Sequence, residues 1–310
     1  MVFVYIAAAL AALYLIFAVG PAIVACRVAF GRKQAVPLEK INTSGTYYEP
    51  YTDTVKKNMA DLGSIPSERV SVTVDGITLH GDLYDRGNDT AVIFVHGYRG
   101  DPALNFCTQI KYLYPKGIDA LTVHLRGHMD SGGDTCTLGI LESRDLPVWI
   151  EYLKNKGKNN IFIYGVSMGA YTAAYAADAI DGSDVAGMII DCGYVSPYLQ
   201  IGRDCKRRRL PAPLIMPIVD LYARCRFGIS LRQSAEEPLS KTTVPMLFLH
   251  DRGDPTVPFE DGRRNFAACA SEKQFIEVDK AQHTLSFLAG GEEVRQKVLA
   301  FINDHKDHKE

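Results

Sequence analysis

From Thr90 to Val278 the chain alternates uninterrupted apolar runs with helix-forming stretches. The runs are "TAVIFVHG", "IDALTVHL", "NIFIYG", "VAGMIIDCG", "VPMLFLHD" and "KQFIEV". Between them lie "FCTQIKYLYPKG", "LESRDLPVWIEYLKNKG" and an alanine-rich stretch beginning near Met168. Strands without polar alternation are buried on both faces, and helices on both sides of a mostly parallel sheet bury them. The chain is therefore predicted to be α/β. Ahead of this series, "ERVSVTVDGITLHGDLYDRG" reads as two short strands around a hairpin turn at Asp75-Gly76. At 310 residues, 47% hydrophobic and 23% charged, the chain can fill one globular domain with an insertion. A net charge of -2, with no basic stripe interleaved with aromatics, excludes nucleic-acid binding.

The first 26 residues carry no charged side chain, which is long enough for a helix to cross the ~30 Å apolar core of a bilayer. Pro21 is expected to kink it. Positive charge follows at Arg27, Arg32 and Lys33, then Lys40, Lys56 and Lys57. The positive-inside rule thus predicts a single-pass anchor in the cell membrane with the large domain in the cytoplasm. Seven scattered cysteines form no disulfide framework and agree with that side. The expected division is a transmembrane anchor over 1–28, a juxtamembrane connector over 29–66 and a catalytic domain over 67–310. The connector's "YTDTVKKNMADLG" suggests a short helix closed by Gly63. Residues 196–240 break the strand–helix rhythm and read as helices inserted over the carboxyl edge of the sheet, where open α/β sheets bind ligands. Within them, Lys206-Arg207-Arg208-Arg209 is either a solvated face or a contact for acidic headgroups or substrate.

The segment Gly165-Val166-Ser167-Met168-Gly169 has the G-x-S-x-G form between a predicted strand and a predicted helix. Such a turn presents the serine as a nucleophile, with the helix dipole aimed at developing negative charge; otherwise Ser167 only caps the helix. A base and an orienting acid decide between the two. Asp254 follows the strand "VPMLFLHD" and His283 follows "KQFIEV", giving a serine–aspartate–histidine order with each member after a different strand. Asp191 and Asp251 are the rival acids; Asp254 is favoured because "DRGDPTVP" reaches beyond its strand, with Pro255 and Pro258 restricting its shape. His124 and His128 are assigned structural hydrogen bonds. For the oxyanion, the donors expected are the backbone N–H groups of Tyr98, after "VIFVHG", and of Met168. His96 is expected to brace the Tyr98 loop. Neither H-E-x-x-H, close cysteine pairs nor an early G-x-G-x-x-G is present, so no metal or cofactor is expected.

The pieces "VHGYRG", "LRGHMDSGG", "YGVSMGA", "IIDCGYVSP", "LHDRGDPTVP" and "AQHTLSF" together resemble the α/β-hydrolase superfamily, over about Arg69 to His305. The resemblance is to serine hydrolases of the lysophospholipase, monoacylglycerol-lipase and serine-aminopeptidase type, and to membrane-anchored bacterial members. It implies an α/β-hydrolase fold with a mostly parallel central sheet and an inserted helical cap, preceded here by the transmembrane helix. It also assigns nucleophile, acid and base to Ser167, Asp254 and His283. The related D-x-R-G-H-G-x-S pattern departs at His124 and Met129, which bears on the bonding of that loop. The activity implied is hydrolysis of a small acyl ester or lipid-like substrate beside the membrane, through an acyl-enzyme. A serine aminopeptidase or amidase, and an inactive membrane scaffold, are the alternatives. The scaffold is favoured if serine and histidine lie buried apart from any cavity.

Overall fold

A computed structural model of the chain describes residues 1–32 and 43–306, the side chains of residues 8 and 10–13 excepted. Lys33 and Lys40 of the positive flank, residues 33–42 of the connector and residues 307–310 of the expected domain lie outside the described residues. The strands β1 (Glu68–Val74), β2 (Ile77–Tyr84), β3 (Thr90–Val95), β4 (Ile118–Val123), β5 (Asn160–Val166), β6 (Gly187–Asp191), β7 (Met246–Asp251) and β8 (Lys273–Val278) form one eight-stranded sheet. Its order is β1-β2-β4-β3-β5-β6-β7-β8; β2 is antiparallel to β1 and β4, and the remaining pairs are parallel. Strands β3 to β7 are buried along their whole length, as their unbroken apolar runs require, whereas edge strands β1 and β8 alternate. Asp75 and Gly76 both take positive φ (52° and 76°), the type I′ geometry that matches the twist of a hairpin.

The α-helices among the described residues are α1 (Val2–Tyr14), α2 (Gly20–Phe30), α3 (Thr52–Gly63), α4 (Pro102–Leu113), α5 (Leu146–Asn155), α6 (Met168–Ala176), α7 (Pro197–Arg207), α8 (Ala212–Phe227), α9 (Glu236–Leu239), α10 (Phe259–Ala268), α11 (Ser286–Ala289) and α12 (Gly291–His305). Successive strand residues point to opposite faces. Val92, Phe94, Phe162 and Tyr164 pack with Leu62 of α3, Phe106 and Ile110 of α4 and Phe301 of α12. Ile93, Val95, Ile161 and Ile163 pack with Trp149 of α5 and Ala173 of α6. Helices α7, α8 and α9 occupy the interval between β6 and β7 where the insertion was expected, and they follow the carboxyl end of β6.

The expected transmembrane helix is overturned. No helix among the described residues is long and apolar enough to cross a membrane. The uncharged start divides into α1 of 13 residues, a π-helical turn over Leu15–Val19 and α2 of 11 residues. At ~1.5 Å per residue, neither α-helix reaches ~30 Å. Proline explains the break. Pro21 has no N–H to offer the preceding turn, which widens so that the Gly20 N–H bonds the Leu15 carbonyl.

The second half of the segment is also committed to the domain. Ala22, Cys26, Ala29 and Phe30 are buried, and Phe30 stacks on Tyr222 and meets Phe227 at a tilt, both of α8, at centroid distances of 5.7 and 5.2 Å. Arg32, counted above as membrane-flanking charge, donates instead to the Met129 and Gly133 carbonyls at 2.6 and 2.8 Å. The membrane-anchored resemblance, the membrane as partner, the single-pass location and the side assigned to the domain fall with the helix.

Candidate active site

Strand β5 runs into α6 through Ser167, whose φ of 55° and ψ of −114° lie where a non-glycine residue is held only by its surroundings. The Ser167 N–H donates to the Asp191 carbonyl of β6 at 2.9 Å, and the Ser167 carbonyl accepts from the Tyr171 N–H at 3.0 Å. The flanking glycines are a matter of space. A Cβ on Gly169 would stand 1.9 Å from the Val95 carbonyl oxygen, and one on Gly165 would stand 2.3 Å from that of Gly169. Only bare backbone lets α6 start this close to the end of β3.

Ser167, His283 and Asp254 meet at the carboxyl ends of β5, β8 and β7. The Ser167 Oγ lies 2.9 Å from His283 Nε2, and Asp254 Oδ2 lies 2.6 Å from His283 Nδ1. Asp254 is fully enclosed, and its other oxygen accepts the N–H groups of Thr256 and Val257 at 2.7 and 2.9 Å. The carboxylate is thereby satisfied on both oxygens and aimed at one ring nitrogen.

The rival aspartates stand elsewhere. Asp251 Oδ1 accepts the Gly253 N–H at 2.7 Å, and its Oδ2 accepts the Ala281 N–H at 2.5 Å. One side chain thus ties the loop of Asp254 to the loop of His283. Asp191 accepts from the Tyr164 hydroxyl at 3.2 Å beneath the turn, and burial pushes its carboxyl up to about 6. It makes no hydrogen bond to His283.

The Tyr98 loop lies against the serine: a Cβ on Gly97 would stand 3.6 Å from Ser167 Cβ. His96 Nδ1 donates to the Gly97 carbonyl at 2.7 Å and Nε2 accepts the Leu125 N–H at 3.2 Å, a pairing that requires the neutral ring. Burial, its largest influence, depresses His96 protonation well below the ordinary range. Asn105 Oδ1 accepts the Gly97 N–H at 3.0 Å. Nothing in the sequence marked this asparagine, because it acts on the loop from a helix eight residues away. Met168 is the first residue of α6, whose leading N–H groups have no partner within the helix. His124 and His128 lie in the "LRGHMDSGG" loop. His124 pairs with Asp130, and His128 Nδ1 donates to the Arg126 carbonyl at 2.9 Å. Met129 adopts a φ of 46°, a left-handed conformation that the glycine of the related pattern takes more easily.

Ser167 and His283 open on one cavity of about 850 Å³, with Tyr98, Gly97 and residues of α2 and α7 around it. The condition that favoured an inactive scaffold is therefore not met. From the insertion, Arg207 reaches the Pro255 and Thr256 carbonyls beside Asp254 at 2.7 and 3.0 Å, and Arg208 lines the cavity. Among the described residues, the grouping with metal-ligand proximity is Cys192, Asp254 and His283, within 4.8 Å. Its carboxylate and imidazole are engaged with each other, and burial holds the thiol well above its ordinary range, protonated.

Residues 87–223 match the model of the family described as serine aminopeptidase, S33, a stretch that includes Ser167 and stops before Asp254 and His283. The uncharacterized protein YqkD of Bacillus subtilis is 29% identical over 228 residues, 71% of this chain and 73% of that protein. A mouse protein, lysophosphatidylserine lipase, is 24% identical over 61% of this chain and 47% of its own length. Among solved structures, a Pyrococcus furiosus esterase superposes with a TM-score of 0.66 at 21% identity, covering 89% of this chain and 97% of that one. This last likeness is one of fold. The chain thus has the α/β-hydrolase fold, and the stretch of it around Ser167 matches a family of serine hydrolases.

Proposed function

We propose that the chain hydrolyses a carboxylic ester through an acyl-enzyme on Ser167, with His283 as base, Asp254 as the acid that orients it, and the Tyr98 and Met168 N–H groups as oxyanion donors. The observation that carries this reading is the unbroken Asp254–His283–Ser167 hydrogen-bond chain opening on the cavity. His283 Nε2 takes the Ser167 proton as Oγ bonds to the ester carbon, and the carbonyl oxygen becomes an oxyanion facing the two amides. Collapse breaks the bond to the alkoxy oxygen, which leaves with the proton from His283. Water then gives a proton to the same nitrogen, attacks the acyl carbon and releases the acid, and the proton returns to Ser167. The hydrogen bond from Asp254 fixes the ring tautomer and stabilises the imidazolium between these transfers.

A small acyl ester or lipid-like substrate suits the cavity, and the name of the mouse relative points the same way. The description of the matching family favours a second reading, an aminopeptidase or amidase using the same residues. Labelling with a fluorophosphonate and peptide mapping tests the nucleophile, and paired esters and amides of one acyl group test the bond. We expect label on Ser167, its loss in Ser167→Ala with a fall in ester turnover on the order of 10⁴-fold or more, and a preference for the ester. Label on another serine, with Ser167→Ala fully active, rejects the assignment.

A further inference from the structure

Helix α2 is apolar on two faces, and one of them carries most of its packing. Ala22, Cys26, Ala29 and Phe30 are buried, whereas Pro21, Val24, Ala25 and Val28 recur at helical spacing on another side and line the cavity that holds Ser167 and His283. Val24 is 60% exposed and Val28 43% exposed, so these side chains contribute little to the core. They give the cavity an apolar wall whose exposure packing does not explain. Ile201 and Cys205 of α7, with Leu210 beyond it, extend the apolar lining from the insertion.

This wall is fixed to the catalytic centre. The last carbonyls of a helix have no partner inside it. Here the Tyr98 hydroxyl donates to the Val28 carbonyl and to that of Ala29 at 3.1 Å. Arg99 donates to the Val28 carbonyl and to that of Gly31 at 3.1 Å, and the Cys136 N–H bonds the Phe30 carbonyl at 3.0 Å. The loop assigned to the oxyanion therefore grips the helix end.

Resting on the ester-hydrolase reading above, we infer that α2 is the outer wall of an acyl-chain site, and that the enzyme takes esters of medium- to long-chain fatty acids whose chain lies along Pro21, Val24, Ala25 and Val28. A cavity of about 850 Å³ has room for such a chain beyond the reacting carbonyl, being near the upper end of the ~300–1,000 Å³ usual for small-molecule sites.

The test uses the full-length protein and p-nitrophenyl esters from acetate to dodecanoate. In the parent, kcat/KM rises with chain length, by up to about fourfold per buried methylene. Val24→Asp and Ala25→Trp, one placing a charge in the wall and the other filling the site, each lower the dodecanoate-to-acetate ratio of kcat/KM about tenfold or more. Retained Ser167 labelling by a small fluorophosphonate shows that each variant is folded. A parent that gains nothing from longer chains, or a ratio unmoved in both variants, overturns the inference. A parent that is neither labelled at Ser167 nor active on acetate sinks the ester-hydrolase reading instead.

Discussion

Asp254 and Asp191 both end near His283, and their surroundings divide their work. Asp254 is bonded through both oxygens and bears on the ring. Asp191 accepts from Tyr164, and its Oδ1 is buried with no hydrogen-bond partner. Burial raises the Asp191 carboxyl to about 6 from an ordinary 3.8, so the folded chain holds this proton more tightly than the unfolded chain does. Its contribution to stability is complete below about 4 and is lost as pH rises through about 6. Asp191→Asn keeps a neutral acceptor at every pH. Relative to the parent, the variant should be more stable at pH 8 than at pH 5 by roughly 1–2 kcal/mol, measured by urea unfolding at the two values. An equal difference at both pH values would show that the carboxyl is not titrating in its buried setting.

Among the elements, the strands are the most legible, because a run such as "KQFIEV" carries its own boundaries and coincides with β8 over its six residues. The turn at Ser167 is legible for a similar reason: its two glycines mark the crowding between α6 and β3. Helix α2 is not. Hydropathy registers that its side chains avoid water, but an apolar bilayer, an aromatic α8 and a ligand cavity all satisfy that demand equally. The deciding contacts, Phe30 with Tyr222 and Phe227, join residues far apart in sequence. Asp251 is hidden likewise, since its value lies in joining two loops that follow different strands. Asp251→Ala should cost about 2–4 kcal/mol, because it strands two N–H groups of a charge-assisted pair. It should also lower kcat tenfold to a hundredfold with KM within about twofold, since the two loops aim His283. A stability loss with kcat unchanged would leave Asp251 as a purely structural brace.

At the scale of the molecule, the N-terminal segment, the insertion and the sheet close on one cavity from three sides. Phe30 is the hinge-pin of the first of these, being 2% exposed between α2 and α8. Phe30→Ala should cost on the order of 3 kcal/mol, confined to the docking of this segment. Hydrogen exchange should then quicken in residues 20–31 and 212–227 while the amides of β3 to β7 keep their protection. Uniform quickening across the sheet would mean that the segment is part of the global cooperative unit. The separation between Ser167 and His283, 116 residues, has a further consequence in time. During synthesis the elbow and its glycines emerge long before β8 and the loop behind it. A ribosome-bound chain therefore carries Ser167 through 116 further residues before His283 is added, and on the mechanism proposed above it stays inert toward acyl groups until then.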